Sequence, residues 1–195
     1  MQIMYKRLIF TLLWDKGKFS ISRNFRLQSV GDIHWIYKNL CFEQTVKSID
    51  ELAVINVSRD KKFHNEFCRD LSLIAGKTSV PLVAGGSIDS YTTVKDYFNN
   101  GADRISFGSS FFITPELVKK VAYEYGKSSI LLALDVKNSN QIYSPVSEFD
   151  GINLDSINKI NYSNLNFVGE IFATSVSKDG TGMGLDLNLA KILLI

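Results

Sequence analysis

A chain of 195 residues with a net charge of +2, 45% hydrophobic and 22% charged residues has the balance of one ordinary globular domain. Its basic residues are scattered, with no run beyond pairs such as Lys61-Lys62 and Lys119-Lys120, which argues against a nucleic-acid partner. No apolar stretch is long enough to span a bilayer and the N-terminus lacks the apolar core of a signal peptide, so a cytosolic protein away from membranes is expected.

The only cysteines, Cys41 and Cys68, have no paired spacing and read as reduced thiols on helical stretches. His34 and His64 lack a second histidine at metal-binding spacing, so neither a metal nor a cofactor is expected.

In chain order, Arg7 to Trp14 reads as an apolar strand, and Asp15-Lys16-Gly17 as a turn into a short extended piece, Lys18 to Ile21. Ile33 to Phe42 has helical spacing, Glu51 to Val57 is a strand, and Phe63 to Ala75 is a helix ending at Gly76. Val80 to Ala84 is a strand broken by Gly85-Gly86-Ser87, and Tyr91, Val94, Tyr97 and Phe98 mark a helix stopped at Asn99-Asn100-Gly101. Arg104 to Phe107 is the next strand, ending at Gly108-Ser109-Ser110. Thr114 and Pro115 are the expected N-cap and first residue of a helix running to Tyr125-Gly126. Ile130 to Asp135 is a strand, Lys137 to Gly151 a polar excursion with room for a small hairpin, and Ser156 to Tyr162 a short helix. Glu170 to Val176 is a strand, Ser177 to Gly184 a glycine-rich loop, and Leu187 to Ile195 a last helix.

That count gives six strands alternating with six helices, the pattern of a parallel sheet covered by helices. The unit from Val80 to Ser110 is central. Parallel strands end at the same edge of a sheet, and both of these end in glycine and serine, where backbone N–H groups can cradle a phosphate. Tight strand-to-helix turns would require the same residues.

An internal repeat is present. Glu51–Asp60 lies over Glu170–Asp179 at an offset of 119 residues, and Phe10–Asp15 over Leu132–Lys137 at an offset of 122. Two such halves make a (β/α)8 barrel of about 250 residues. The expectation is a single truncated domain over 1–195: an α/β, TIM-barrel-type fold with about six β/α units, lacking strands seven and eight.

From about Lys6 onward the sequence resembles the cyclase subunit of imidazole glycerol phosphate synthase, through VPLVAGGSIDS, NNGADRISFGSSFFITPEL, ILLALDVK and EIFATSVSKDGTGMGLDL. Their order and spacing favour the cyclase over its sister isomerase. The resemblance implies use of ammonia from a glutaminase partner, in a heterodimer, to convert a phosphorylated ribulosyl aminoimidazole carboxamide nucleotide into imidazole glycerol phosphate. It places one catalytic carboxylate on Asp135 and the other on Leu13, which cannot transfer a proton. Asp15 could substitute only if the first strand reaches that far. The lysine expected after strand one falls on Ile21, and the aspartate ending strand two on Asn56.

The resemblance further places phosphate and substrate contacts on Gly85, Gly86, Gly108, Ser109, Thr174, Asp179 and Gly180, and an ammonia gate on Arg7, Glu51, Arg104 and Glu170, with Asp103 at a docking position. The departures at Leu13, Ile21 and Asn56 leave two other functions open: an ammonia conduit for sugar amidation in surface-polysaccharide synthesis, and a shortened, non-catalytic remnant.

Overall fold

The computed structural model describes residues 6–139, 142–145 and 162–193. The chain divides into two compact units, Met1–Ile21 with Gln28–Ser106, and Ser22–Leu27 with Phe107–Ile195.

The first unit runs β1 (Ile9–Asp15), β2 (Lys18–Arg23), β3 (Arg26–Gly31), α1 (Ile33–Asn39), α2 (Phe42–Val46), β4 (Glu51–Asn56), α3 (His64–Ala75), β5 (Leu82–Gly85), α4 (Tyr91–Asn99) and β6 (Arg104–Phe107), the tip residues 22–27 being counted to the second unit. β1, β4, β5 and β6 pair in parallel in that order, while β2 folds back antiparallel on β1. The strands alternate. Leu12, Trp14, Leu52 and Val54 are buried on the face that meets the helices, where Trp14 packs edge-on against Phe67 at 5.2 Å and Phe67 against Tyr97 at 5.1 Å. The Trp14 indole N–H donates to the buried Asp70 carboxylate of α3 at 2.9 Å. Thr11, Leu13, Ala53, Ile55, Val83 and Gly85 therefore lie on the opposite face.

The second unit contains α5 (Ser110–Ile113), α6 (Pro115–Tyr125), β7 (Ile130–Ser139), β8 (Ile142–Pro145), α7 (Tyr162–Leu165), β9 (Glu170–Ser175) and α8 (Leu187–Leu193). β7 pairs antiparallel with β8 and parallel with β9. The sequence repeat is a repeat of register. In the first unit Ile9 faces Glu51 and Leu13 faces Ile55; in the second, Leu131 faces Glu170 and Asp135 faces Thr174.

The architecture is α/β with parallel strands joined through helices, the arrangement of a barrel-type fold. The strand count needs correction. Nine strands are described rather than six, and the expectation that two are missing, drawn from the repeat offset and the chain length, is not borne out. The additions are the antiparallel β2–β3 hairpin and β8. β3 escapes sequence reading because its residues, RLQSVG, are polar and mostly exposed. The Asn24-Phe25 turn has positive φ at both residues, as a two-residue hairpin needs, without the expected glycine.

Other boundaries shift as well. The expected helix from Ile33 to Phe42 is two helices, because Cys41 stands between them in the left-handed region at φ 46°. Cys41 is therefore not helical. Thr114 precedes Pro115 as expected, but its hydroxyl donates back to the Ser110 carbonyl at 2.9 Å instead of capping α6. Within the expected excursion Lys137 to Gly151, residues of β7 and β8 pair antiparallel, as a small hairpin requires; the rest of it lies outside the described residues, as do most of the expected helix from Ser156 to Tyr162 and residues 194–195. Among the described residues no helix is long and apolar enough to cross a membrane.

Replacing Trp14 with Phe removes one of the donors to the buried Asp70 carboxylate and leaves a void beside Phe67. Equilibrium urea unfolding should show a loss of about 3 kcal/mol.

Candidate functional site

At the N-terminal ends of the first unit's strands, three of the four expected gate residues meet. Glu51 opens β4 and is 1% exposed, a burial that a carboxylate tolerates only when paired. One Arg104 nitrogen donates to Glu51 Oε1 at 2.9 Å and to Oε2 at 3.2 Å, and Arg7 donates to Oε2 at 3.3 Å. Arg104 is the first residue of β6 and is itself largely buried. Glu170 opens β9 in the second unit, in register with Leu131 as Glu51 is with Ile9. The Asp103 carboxylate accepts from the Leu82 N–H at 2.8 Å, so it holds the start of β5.

The second unit brings Asp135, Thr174 and Asp179 together. Asp135 shares with Ala133 the half-buried face of β7, the alternate residues Leu132, Leu134 and Val136 being fully buried. Thr174, its register partner, donates a hydrogen bond to the carboxylate. Burial pushes the Asp135 carboxyl above the usual aspartate range; the Thr174 bond opposes that shift and the Asp179 charge adds to it. A carboxyl held up in this way holds its proton more tightly than an exposed aspartate does. Asp179 is also a structural anchor. Its Oδ2 accepts from Ser22 Oγ at 2.6 Å and from the Phe25 N–H at 3.0 Å, and its carbonyl accepts from Asn24 N–H at 3.0 Å, fixing the hairpin tip.

The expected phosphate glycines separate into two kinds. A methyl at Gly85 would stand 2.8 Å from Ser106 Cβ, one at Gly86 would strike the Asn56 carbonyl, and one at Gly180 the Ser22 carbonyl. Close backbone approach requires glycine at these three. Gly108 is different: a methyl there would meet nothing within 4 Å, and its backbone is not in the left-handed region. The space beside the Gly108-Ser109 turn is open to a ligand. Ser109 precedes α5 without capping it.

Leu13 is half-buried opposite Ile55, so this register position is hydrocarbon in the first unit and polar in the second. β1 does continue to Asp15, which lies on the Leu13 face one step further along, opposite Lys18. Ile21 is exposed on β2. Asn56 falls on the helix face, buried, its side-chain oxygen accepting from Ser58 N–H at 3.0 Å. His64, Cys68 and Asp96 cluster between α3 and α4, with His64 Nε2 2.9 Å from Asp96 Oδ2 and 3.6 Å from the thiol. Burial, reinforced by Asp96, pushes that thiol up to about 11, the reverse of an activated nucleophile. Sequence reasoning missed Ser106. A lone serine in the strand RISF gives no sign of being buried without a hydrogen-bond partner.

Parallel strands with helical crossovers, charges at their N-terminal ends and a polar pair toward their C-terminal ends define a protein of the (β/α)-barrel class. The profile of the histidine biosynthesis protein family matches residues 40–194, and the chain belongs to that family, among its HisF-like cyclase subunits. It is 33% identical over 194 residues to a Parasynechococcus marenigrum protein named for imidazole glycerol phosphate synthase, subunit hisF2, the match covering 95% of this chain and 70% of that protein. It is 28% identical to imidazole glycerol phosphate synthase subunit HisF of Lacticaseibacillus casei over 98% of this chain and 76% of that protein. Against the HisF subunit of Chlorobium limicola it is 29% identical over 73% of this chain and 58% of the relative. The chain thus spans 58% to 76% of these relatives' lengths.

Two predictions follow from the geometry. Gly86→Ala should cost about 3 kcal/mol in urea unfolding, whereas Gly108→Ala should change stability by less than about 0.5 kcal/mol. Because the folded Asp135 carboxyl titrates above its unfolded value, it favours the fold below the ordinary aspartate range and loses that contribution as pH rises through its raised value. Asp135→Asn should therefore melt higher than the parent at pH 7, and the gap should close as pH falls toward about 3.9.

Proposed function

We propose that the chain is the ammonia-using, cyclase-type subunit of a two-protein synthase, receiving ammonia from a glutaminase subunit and acting on a phosphorylated substrate of the histidine-pathway kind. The observation that carries this reading is Glu51. In the first unit a carboxylate bridged by two arginines at the N-terminal ends of the strands makes a polar, paired doorway, and in the second unit Asp135 with Thr174 supplies a proton-transfer group. Glu170, by its register equivalence to Glu51, is the fourth member of the gate, and Asp103 marks the docking face. In this reading Gly85, Gly86, Gly108, Ser109, Thr174, Asp179 and Gly180 surround the phosphates and substrate, residues 1–195 act as one barrel domain, and the protein works in the cytosol.

The chemistry required of Asp135 is general acid–base work. Its raised proton affinity suits that task, and the hydroxyl of Thr174 orients it. Leu13, at the equivalent register position of the first unit, carries no such group. Proton transfer by a second positioned group is worth about two to four orders of magnitude.

One observation favours a second reading. The first unit carries Leu13 opposite Ile55 where the second carries Asp135 opposite Thr174, so the ammonia doorway is kept while a cyclising carboxylate is lost. A conduit that hands ammonia on for sugar amidation needs the first and not the second. Rescue of a histidine auxotroph lacking its cyclase subunit would exclude that reading.

With ammonium salt and the ribulosyl substrate, the purified protein should turn over at least about a hundredfold more slowly than a HisF relative, and Leu13→Asp should raise the rate. Turnover equal to the relative's would show that position 13 is not part of the proton-transfer apparatus. Adding a HisH-type glutaminase with glutamine should support the same reaction, and Glu51→Gln should weaken the glutamine-driven rate more than the ammonium-driven one.

A further inference from the structure

Tyr97, on α4, is fully buried on the helix side of the first unit's sheet, with the Phe67 ring at 5.1 Å and the His64 ring at 5.9 Å. A phenylalanine would fill that space, so the hydroxyl is explained by what it bonds. It donates to the Gly86 carbonyl at 2.9 Å, and the Asn56 side chain hydrogen-bonds the hydroxyl in turn.

These bonds belong to a frame behind the Gly86-Ser87 turn. The Asn56 side-chain oxygen accepts from the Ser58 N–H at 3.0 Å, and the Ser58 carbonyl accepts from the Ser87 hydroxyl. The turn needs such a frame. Gly86 and Ser87 both stand at positive φ, 83° and 52°, a conformation that serine adopts only when its surroundings impose it. None of these bonds uses an N–H of the turn, the group that a phosphate oxygen would take.

The Gly86 carbonyl and the Ser87 N–H share one planar trans peptide and point in opposite directions. With the carbonyl tied to Tyr97 on the helix side, the N–H is turned away from that helix. We propose that Tyr97 is a positioning residue for anion binding: its hydroxyl, backed by Asn56, fixes the Gly86-Ser87 peptide so that its N–H is presented to a phosphate monoester. The proposal rests on reading Gly85 and Gly86 as part of a phosphate site, and adds the side chain that holds them in shape. Tyr97 itself touches no substrate.

The test follows the turn directly in the full chain. Gly85-Gly86 is the only adjacent pair of glycines in the sequence. With glycine labelled by nitrogen-15 and by carbon-13 at the carbonyl, the Gly86 amide alone couples to a labelled preceding carbonyl. Inorganic phosphate is titrated at fixed pH against potassium chloride of matched ionic strength. In the parent, the Gly86 resonance should move saturably with phosphate and stay still with chloride. Tyr97→Phe, which keeps the ring, should weaken phosphate by about three- to tenfold, the worth of one hydrogen bond. Should that variant not fold, Asn56→Ala, which takes away the amide behind the hydroxyl, carries the same expectation. Trp14→Phe loosens the same core without touching the turn and should bind phosphate as the parent does. Parental affinity in the folded Tyr97 or Asn56 variant, or an equal loss in Trp14→Phe, overturns the proposal and leaves the phosphate reading standing. A parent resonance indifferent to phosphate overturns both.

Discussion

Parallel strand pairing is the constraint on which the chemistry of both units depends. Side chains alternate along a strand, so a slip of one residue between β1 and β4 would carry Leu13 and Ile55 to the helix face and bring Trp14 and Asn56 to the other. That slip is blocked from the helix side. Trp14 is sealed against Phe67 and hydrogen-bonded to Asp70, and Asn56 is held by Ser58. The same register then fixes what the other face contains: Arg104 and Glu51 low on the strands, and Ser106, Gly85, Ile55 and Leu13 one step higher. In the second unit, the pairing of β7 with β9 sets Asp135 against Thr174 by an equivalent rule.

Charge placement follows from that rule and from the cost of burial. Glu51 at 1% exposure would be intolerable alone, and removal of either arginine leaves charge uncompensated in a site with little water. The cluster is consequently poor evidence for added stability. Arg7 is nearly half exposed whereas Arg104 is largely buried, so the two partners are not equivalent. The inner one, with two contacts to the carboxylate, holds it in place.

Much of this was legible in the sequence because it is carried by local signals. Apolar runs ended by glycine and serine locate β4, β5 and β6, and the repeat between Glu51–Asp60 and Glu170–Asp179 anticipates the shared register. What escaped depends on long-range contact or on conformations the residue types disguise. Phe25 and Cys41 adopt positive φ with neither glycine nor asparagine at those positions to announce it, which hid the β2–β3 turn and the break between α1 and α2. The anchoring of the hairpin tip by Asp179 joins residues 157 apart in sequence to Ser22, beyond the reach of any spacing argument. The two kinds of glycine were likewise indistinguishable in sequence. Gly86 answers to the Asn56 carbonyl, whereas Gly108 answers to no protein atom.

Asp179 is shared between the hairpin tip and Asp135. Its carboxylate holds the tip through Ser22 and Phe25, and its charge also raises the proton affinity of Asp135. A cation or hydrogen-bond donor that drew Asp179 away would release the tip and relieve Asp135 of a neighbouring negative charge, making it a stronger acid. Hairpin position and the proton affinity of Asp135 are thus coupled through one side chain, so that a change at the tip is felt as a change in the charge beside β7.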